Sequence, residues 1–190
     1  MTLRFGTDGV RGVAHQELTT EFAVRIARAA SHVLGEHGCR EVVIGGDTRE
    51  STPAFIEALT AGFSASGIDV LRMGVAPTPV VAFEAQRRHA MGAVVSASHN
   101  PWHDNGIKLF APGGSKLPDD IETRIEAATE ADLSPMGGVG SVVDIDDPRA
   151  YTNHVLAILE GRSLAGLTVV LDTANGAAVR IAPDVLRAAG

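Results

Sequence analysis

Aromatic residues are scarce in this chain: 190 residues include Phe 6, Trp 1 and Tyr 1. So few rings leave little for stacking on bases, which argues against single-stranded nucleic acid as a ligand. Positive charge is also short. Lys+Arg 16 against Asp+Glu 23 leaves a net charge of −7, which disfavours bulk attraction to nucleic acid or to an anionic membrane. A single cysteine, Cys39, excludes an internal disulfide and a cysteine-rich zinc site. No apolar run is long enough to span a bilayer, and residues 1–6 lack the basic-then-apolar pattern of a secretory signal. The expectation is a cytoplasmic protein. Apolar material is plentiful, at 45% of residues, enough for a core and too much for a disordered chain.

Strand-like and helix-like runs alternate, which predicts an α/β fold with a mixed, mostly parallel sheet and helices on both faces. The expected strands are residues 41–45, 69–73, 92–96 and 107–110. The third is small and apolar, as in a sheet covered on both sides. Thr20 is the expected cap of a first helix, with Phe22, Ile26, Ala30, Val33 and Leu34 at helical spacing and Gly38 as its end. Thr52-Pro53 and Thr78-Pro79 read as cap-plus-proline starts of two more helices. Residues 118–130 form an expected helix with an acidic first turn, 133–140 a loop, and 147–159 a further helix.

Residues 167–172 read as a buried-type strand and 181–189 as a helix. A lone strand–helix unit cannot cover its own apolar surface, and each exposed Val or Leu forfeits about 1.5–3 kcal/mol. The unit either joins the first sheet or begins a second α/β domain, and the second is favoured. The expected division is residues 1–140 as a first domain. Residues 141–190 then supply a connecting strand and helix plus the first strand–helix unit of a second domain.

The densest chemistry lies in residues 96–108. Ser96 and Ser98 are candidate nucleophiles, His99 and His103 candidate bases and Lys108 a cation, while Asn105-Gly106 reads as a tight turn. The segment follows a buried strand, and ligands of open α/β sheets collect at the carboxyl ends of strands. Taken alone, the same residues also describe a polar surface loop. Phe5-Gly6-Thr7-Asp8-Gly9-Val10-Arg11-Gly12 is a second candidate, since glycines allow close backbone approach and Arg11 can take a phosphate in bidentate fashion. Residues 45–51 form a third, which reads equally well as an ordinary strand-to-helix loop with a surface ion pair. Spacing alone does not choose among a phosphotransferase, a hydrolase and a phosphate-binding module.

Several segments together carry a specific resemblance: Phe5 to Gly12, Asp47-Thr48-Arg49, Pro77-Thr78-Pro79, Ser96-Ala97-Ser98-His99-Asn100-Pro101, Asp104-Asn105-Gly106-Ile107-Lys108 and Asp172-Thr173-Ala174-Asn175-Gly176-Ala177. In order and separation the chain resembles the N-terminal part of the bacterial phosphoglucosamine mutases, within the α-D-phosphohexomutase superfamily. The serine loop marks the superfamily. The Gly-Thr-Asp-Gly-Val-Arg-Gly opening and the Asn-Gly-Ile-Lys-Leu-Phe run favour an amino sugar over mannose or glucose, with phosphomannomutase or phosphoglucomutase and a non-catalytic phosphosugar-binding domain as the alternatives.

The resemblance implies that Ser98 is modified to phosphoserine and passes its phosphoryl group to a phosphorylated amino sugar. Glucosamine 6-phosphate and glucosamine 1-phosphate would interconvert through a bisphosphorylated intermediate, feeding UDP-N-acetylglucosamine and cell-wall synthesis. It implies His99, Lys108 and Arg11 beside the reacting phosphate, and Asn100, Arg11 and Lys108 as binding residues. Imidazole is the side chain that exchanges a proton near neutral pH, so His99 suits a shuttle, with mere loop orientation as its alternative. Lys108 suits charge neutralisation better than base catalysis. His103 reads as a solvated loop residue, Trp102 as packing and Cys39 as structural.

One Mg²⁺ is implied, held by the phosphate on Ser98 and by aspartates of an Asp-Gly-Asp-Gly-Asp-Arg loop beyond Gly190. The chain alone is therefore expected to be inactive. Two positions depart from the family's pattern: Gly46 stands where arginine is common, and Ser51-Thr52-Pro53 where Ser-Gly is common.

Overall fold

A computed structural model describes residues 5–6, 8–131, 133 and 137–190. Part of the expected loop at 133–140 lies outside them. Six strands form one sheet: β1 (Val10–Val13), β2 (Glu41–Gly46), β3 (Asp69–Val75), β4 (Met91–Val95), β5 (Asp104–Phe110) and β6 (Val142–Asp144), in the order β1-β5-β4-β2-β3-β6. Strands β4, β2, β3 and β6 run parallel, while β5 is antiparallel to both β4 and β1. The expected mixed, mostly parallel sheet is present. The short edge strand β1 has too few apolar residues to stand out in sequence, while β6 lies where the connecting strand is expected.

Alternation along the strands divides the core between two faces. Val42, Ile44, Ala93, Val95, Ile107 and Leu109 pack beneath α1 (Thr20–Gly35), α2 (Thr52–Ala65) and α4 (Asp119–Thr129). Val43, Leu71, Val94 and Phe110 pack on the other face against α3 (Thr78–Arg88), with Tyr151 of α5 (Arg149–Ala157) and Ile181 of α6 (Ile181–Ala188) nearby. Helices therefore cover both faces. Cys39 is buried and free, as a structural residue would be.

The helix starts differ from expectation. Thr19, not Thr20, caps α1, its side chain accepting from the Phe22 amide. At both Thr-Pro pairs the threonine is already helical, and the cap positions Ser51 and Pro77 make no side-chain cap bond. Thr52 is otherwise engaged: its hydroxyl donates to Asp47 Oδ1 at 2.9 Å. Helix α1 also ends at Gly35, before Gly38.

The expected strand at 167–172 is not formed. These residues pair with no strand among the described residues, and Val170 is 94% exposed. A strand needs a ladder partner, and the edges of this sheet belong to β1 and β6. The segment thus does not join the first sheet. No helix among the described residues is long and apolar enough to cross a membrane.

Candidate active site

The carboxyl ends of β2 and β4 face one cleft of about 900 Å³. Its walls come from residues 47–50, from Pro77, Thr78 and Pro79, from the loop after β4, and from residues 173–178. Ser98, His99 and Asn100 line it; Arg11 and Lys108 do not.

The two serines of the loop have different fates. Ser96 is half-buried, donates to Asp47 Oδ2 at 2.7 Å and accepts the Ser98 amide at 3.0 Å. Ser98 is exposed, and its Oγ lies 3.4 Å from His99 Nδ1. Its backbone sits in the left-handed region, at φ 57°. A non-glycine residue there costs roughly 1–2 kcal/mol, and such strain gathers at functional sites.

The loop is held by a residue that sequence reasoning left as half of a surface ion pair. Arg49 donates from Nη1 to the carbonyls of Pro101 (2.6 Å) and Asp104 (3.0 Å), and from Nη2 to those of Ser98 (2.9 Å) and Asn100 (3.0 Å). Its Nε meets Asp47 Oδ2 at 2.9 Å, and the two side chains are only 10% and 12% exposed. This pair is not on the surface. An Asp-x-Arg spacing at the end of a buried strand was the available signal, but nothing local says which carbonyls the fork will find. Asn100 also braces the loop, its amide donating to Asp104 Oδ2 at 3.0 Å.

Asn105-Gly106 is not a turn. Both residues lie within β5, opposite Gly12 and Arg11, and the chain reverses before them, with the Asp104 amide on the Pro101 carbonyl. Asn105 is wholly buried; its amide donates to Ser51 and Thr52, and its carbonyl accepts the Gly106 amide. Gly106 is required by space: a Cβ there would lie 2.9 Å from Arg11 Cγ and 2.7 Å from the Ser96 carbonyl. At Gly9, φ is 85° and a Cβ would meet the Ile107 carbonyl at 2.3 Å, so the opening loop can cross β5 only as glycine.

Arg11 and Lys108 are brought together through Asp8, each nitrogen 3.5 Å from one of its oxygens. Strand register places both on the α3 side of the sheet. Trp102 does not pack as expected. It is 77% exposed at the lip of the cleft, edge-on to His103, because the loop it sits on is held through backbone carbonyls and leaves the ring outside. His103 is solvated, with Asp104 Oδ1 at 3.5 Å.

The described residues do not by themselves fit a magnesium site. No group of three His, Cys, Asp or Glu among them is arranged to hold a metal ion, and both oxygens of Asp47 are occupied by donors. At most, a phosphate on Ser98 would supply one ligand.

A doubly covered α/β sheet with an exposed serine in the left-handed region at a strand end defines an α/β/α domain with a candidate nucleophile loop. The family model for "Phosphoglucomutase/phosphomannomutase, alpha/beta/alpha domain I" matches residues 2–136, and the chain belongs to that family. It is 48% identical to a phosphoglucosamine mutase of Rhodococcus opacus over 98% of its own length and 44% of that protein, and 49% identical to one of Acidothermus cellulolyticus over 98% and 42%. A crystal structure of a phosphoglucomutase/phosphomannomutase family protein from Burkholderia thailandensis superposes with a TM-score of 0.85 at 30% identity, covering 100% of this chain and 42% of that one. The chain thus spans less than half the length of the curated relatives it matches. Phosphohexomutases as a family generally depend on Mg²⁺.

Proposed function

We propose that the chain is the phosphoserine-bearing part of a phosphoglucosamine mutase, with Ser98 as the phosphoryl carrier. The single observation behind this reading is the division of labour between the serines. The Ser96 proton is committed to Asp47, whereas the Ser98 hydroxyl is exposed beside an imidazole. Relatives at 48% identity are named phosphoglucosamine mutase, which supports a phosphorylated glucosamine as the substrate; on this reading glucosamine 6-phosphate becomes glucosamine 1-phosphate.

In the forward reaction the P–Oγ bond of phosphoserine 98 breaks as a sugar hydroxyl attacks phosphorus, and the hydroxyl's proton ends on Ser98 Oγ by way of His99. The bisphosphorylated sugar then turns end for end. Its other phosphate returns to Ser98 Oγ, whose proton passes to His99, 3.4 Å away, and from there to the sugar oxygen that leaves as a hydroxyl. Arg11 and Lys108, joined through Asp8 and outside the cleft that Ser98 lines, are the cations this reading assigns to offset phosphate charge, and Asn100 keeps the loop in shape. Residues 1–140 form the serine domain, to whose sheet the connecting strand β6 is added. Residues 141–190 lead into a second domain, where segment 167–172 finds the strand partners it lacks here. The magnesium would stabilise phosphoryl charge once its remaining ligands are in place.

The full-length gene product is expected to interconvert the two glucosamine phosphates faster than mannose or glucose phosphates. Ser98→Ala is expected to abolish turnover, and intact-mass analysis to find one phosphate on Ser98. An active enzyme carrying no phosphate there defeats the reading. The 190-residue chain alone is expected to show no measurable turnover. Phosphate monoester chemistry requires accelerations up to ~10²¹, and a single well-placed arginine supplies only ~10³–10⁵.

A further inference from the structure

Ser98 must keep its place while a group of about −1.5 to −2 charge comes and goes on its oxygen. Its side chain therefore cannot be the anchor. The structure instead ties both of its main-chain groups: the amide donates to Ser96 Oγ and the carbonyl accepts from Arg49. The direction of the first bond is unambiguous, because a backbone N–H only donates. Ser96 must give its proton to Asp47 Oδ2, which leaves its oxygen lone pair facing the Ser98 N–H. Asp47 is itself immobilised by Thr52 and by Arg49.

We infer that Ser96 is a positioning residue whose hydroxyl, oriented by Asp47, holds Ser98 in its left-handed conformation and so aims Oγ at the substrate. The inference rests on the mutase reading of Ser98. The φ of 57° is unfavourable for serine and is held by the bonds that the residue's own amide and carbonyl make. The arrangement has an electrostatic consequence as well. Four carbonyls of the loop point at the Arg49 guanidinium, and their lone pairs are thereby kept from opposing the phosphate.

The test uses the full-length gene product with Ser96→Ala and Ser96→Thr. Ser96→Ala is expected to lower kcat roughly 10²-fold, the scale of a misplaced reacting group, with KM for glucosamine 6-phosphate unchanged within about twofold. Ser96→Thr keeps the hydroxyl and is expected to restore most of kcat. Amide exchange supplies a readout independent of turnover: the Ser98 amide is expected to lose protection in Ser96→Ala and regain it in Ser96→Thr, with protection of β4 and the thermal midpoint unchanged. Unchanged kcat in Ser96→Ala, no rescue by threonine, or an unaltered Ser98 exchange rate each overturns the inference. Absence of turnover in the unsubstituted protein defeats the mutase reading instead, and the exchange experiment then decides the positioning on its own.

Discussion

Gly46 and Thr52 compete for one small volume: a Cβ on residue 46 would lie 2.5 Å from Thr52 Cγ2 and 2.9 Å from the Val95 carbonyl. Gly46 thus touches the Ser51-Thr52-Pro53 segment through Thr52. The threonine methyl fills what a larger residue at 46 would need, and its hydroxyl braces Asp47.

Gly46→Ala is accordingly expected to destabilise the fold by about 1–3 kcal/mol, the usual cost of overpacking a tight site. Thr52→Gly is expected to be destabilising alone through its lost bonds to Asp47 and Asn105. The double variant is expected to fall short of the sum by about 0.5–3 kcal/mol. Urea denaturation of all three variants checks this, and strict additivity contradicts it.

Asn105 fastens β5 to the start of α2. Asn105→Ala leaves the Gly106 amide and the Thr52 and Ser51 hydroxyls without their buried partner. A loss of about 1–3 kcal/mol in unfolding free energy is expected, since an unsatisfied buried group carries its full desolvation cost. A change under about 0.5 kcal/mol, the level of ordinary surface substitutions, is the contrary result.

Arg11 lies over Gly106, so Gly106→Ala is expected to displace the arginine and press on the Ser96 carbonyl together. Activity of the full-length gene product is expected to fall about 10-fold or more, with a stability loss of about 1–3 kcal/mol, the usual cost of overpacking a tight site. The size of the activity loss follows from the sensitivity of reaction rates to small misplacements. A crystal structure of the variant with Arg11 unmoved goes against the expectation.

The edge strand β6 supplies a pH test. Hydrogen bonds from the Ser141 hydroxyl and then its amide hold the Asp69 carboxyl below the usual carboxylate range. A folded-state value lowered from the unfolded one contributes stability that is present above the unfolded pKa of about 3.9 and lost as pH falls through the folded value. Protection of the Ser141 amide is thus expected to persist through the usual carboxylate range and to drop only at lower pH, while β2 and β4 stay protected. Asp69→Asn removes that dependence, and an unchanged pH profile in this variant contradicts the assignment.

Strand and helix periodicity needs only neighbours a few residues apart. The apolar runs at 42–44, 70–71 and 93–95 therefore determined the α/β class without further help. The polar residues packed after the third run marked the serine loop for the same reason. The helix caps misread because Thr52 has a better partner in Asp47 than in its own backbone. The unformed strand at 167–172 shows the converse, since an apolar run is a strand only where a ladder awaits it.

Tertiary structure alone decided which serine is free, which charged pair is buried and where Arg11 lies. Each depends on β5 entering the sheet antiparallel between β1 and β4, and on β2 lying beside β4. Local spacing carries no record of that order. It brings Arg49 against carbonyls some fifty residues further along, and hydrogen bonds of such range exist only once the strands between them have been paired.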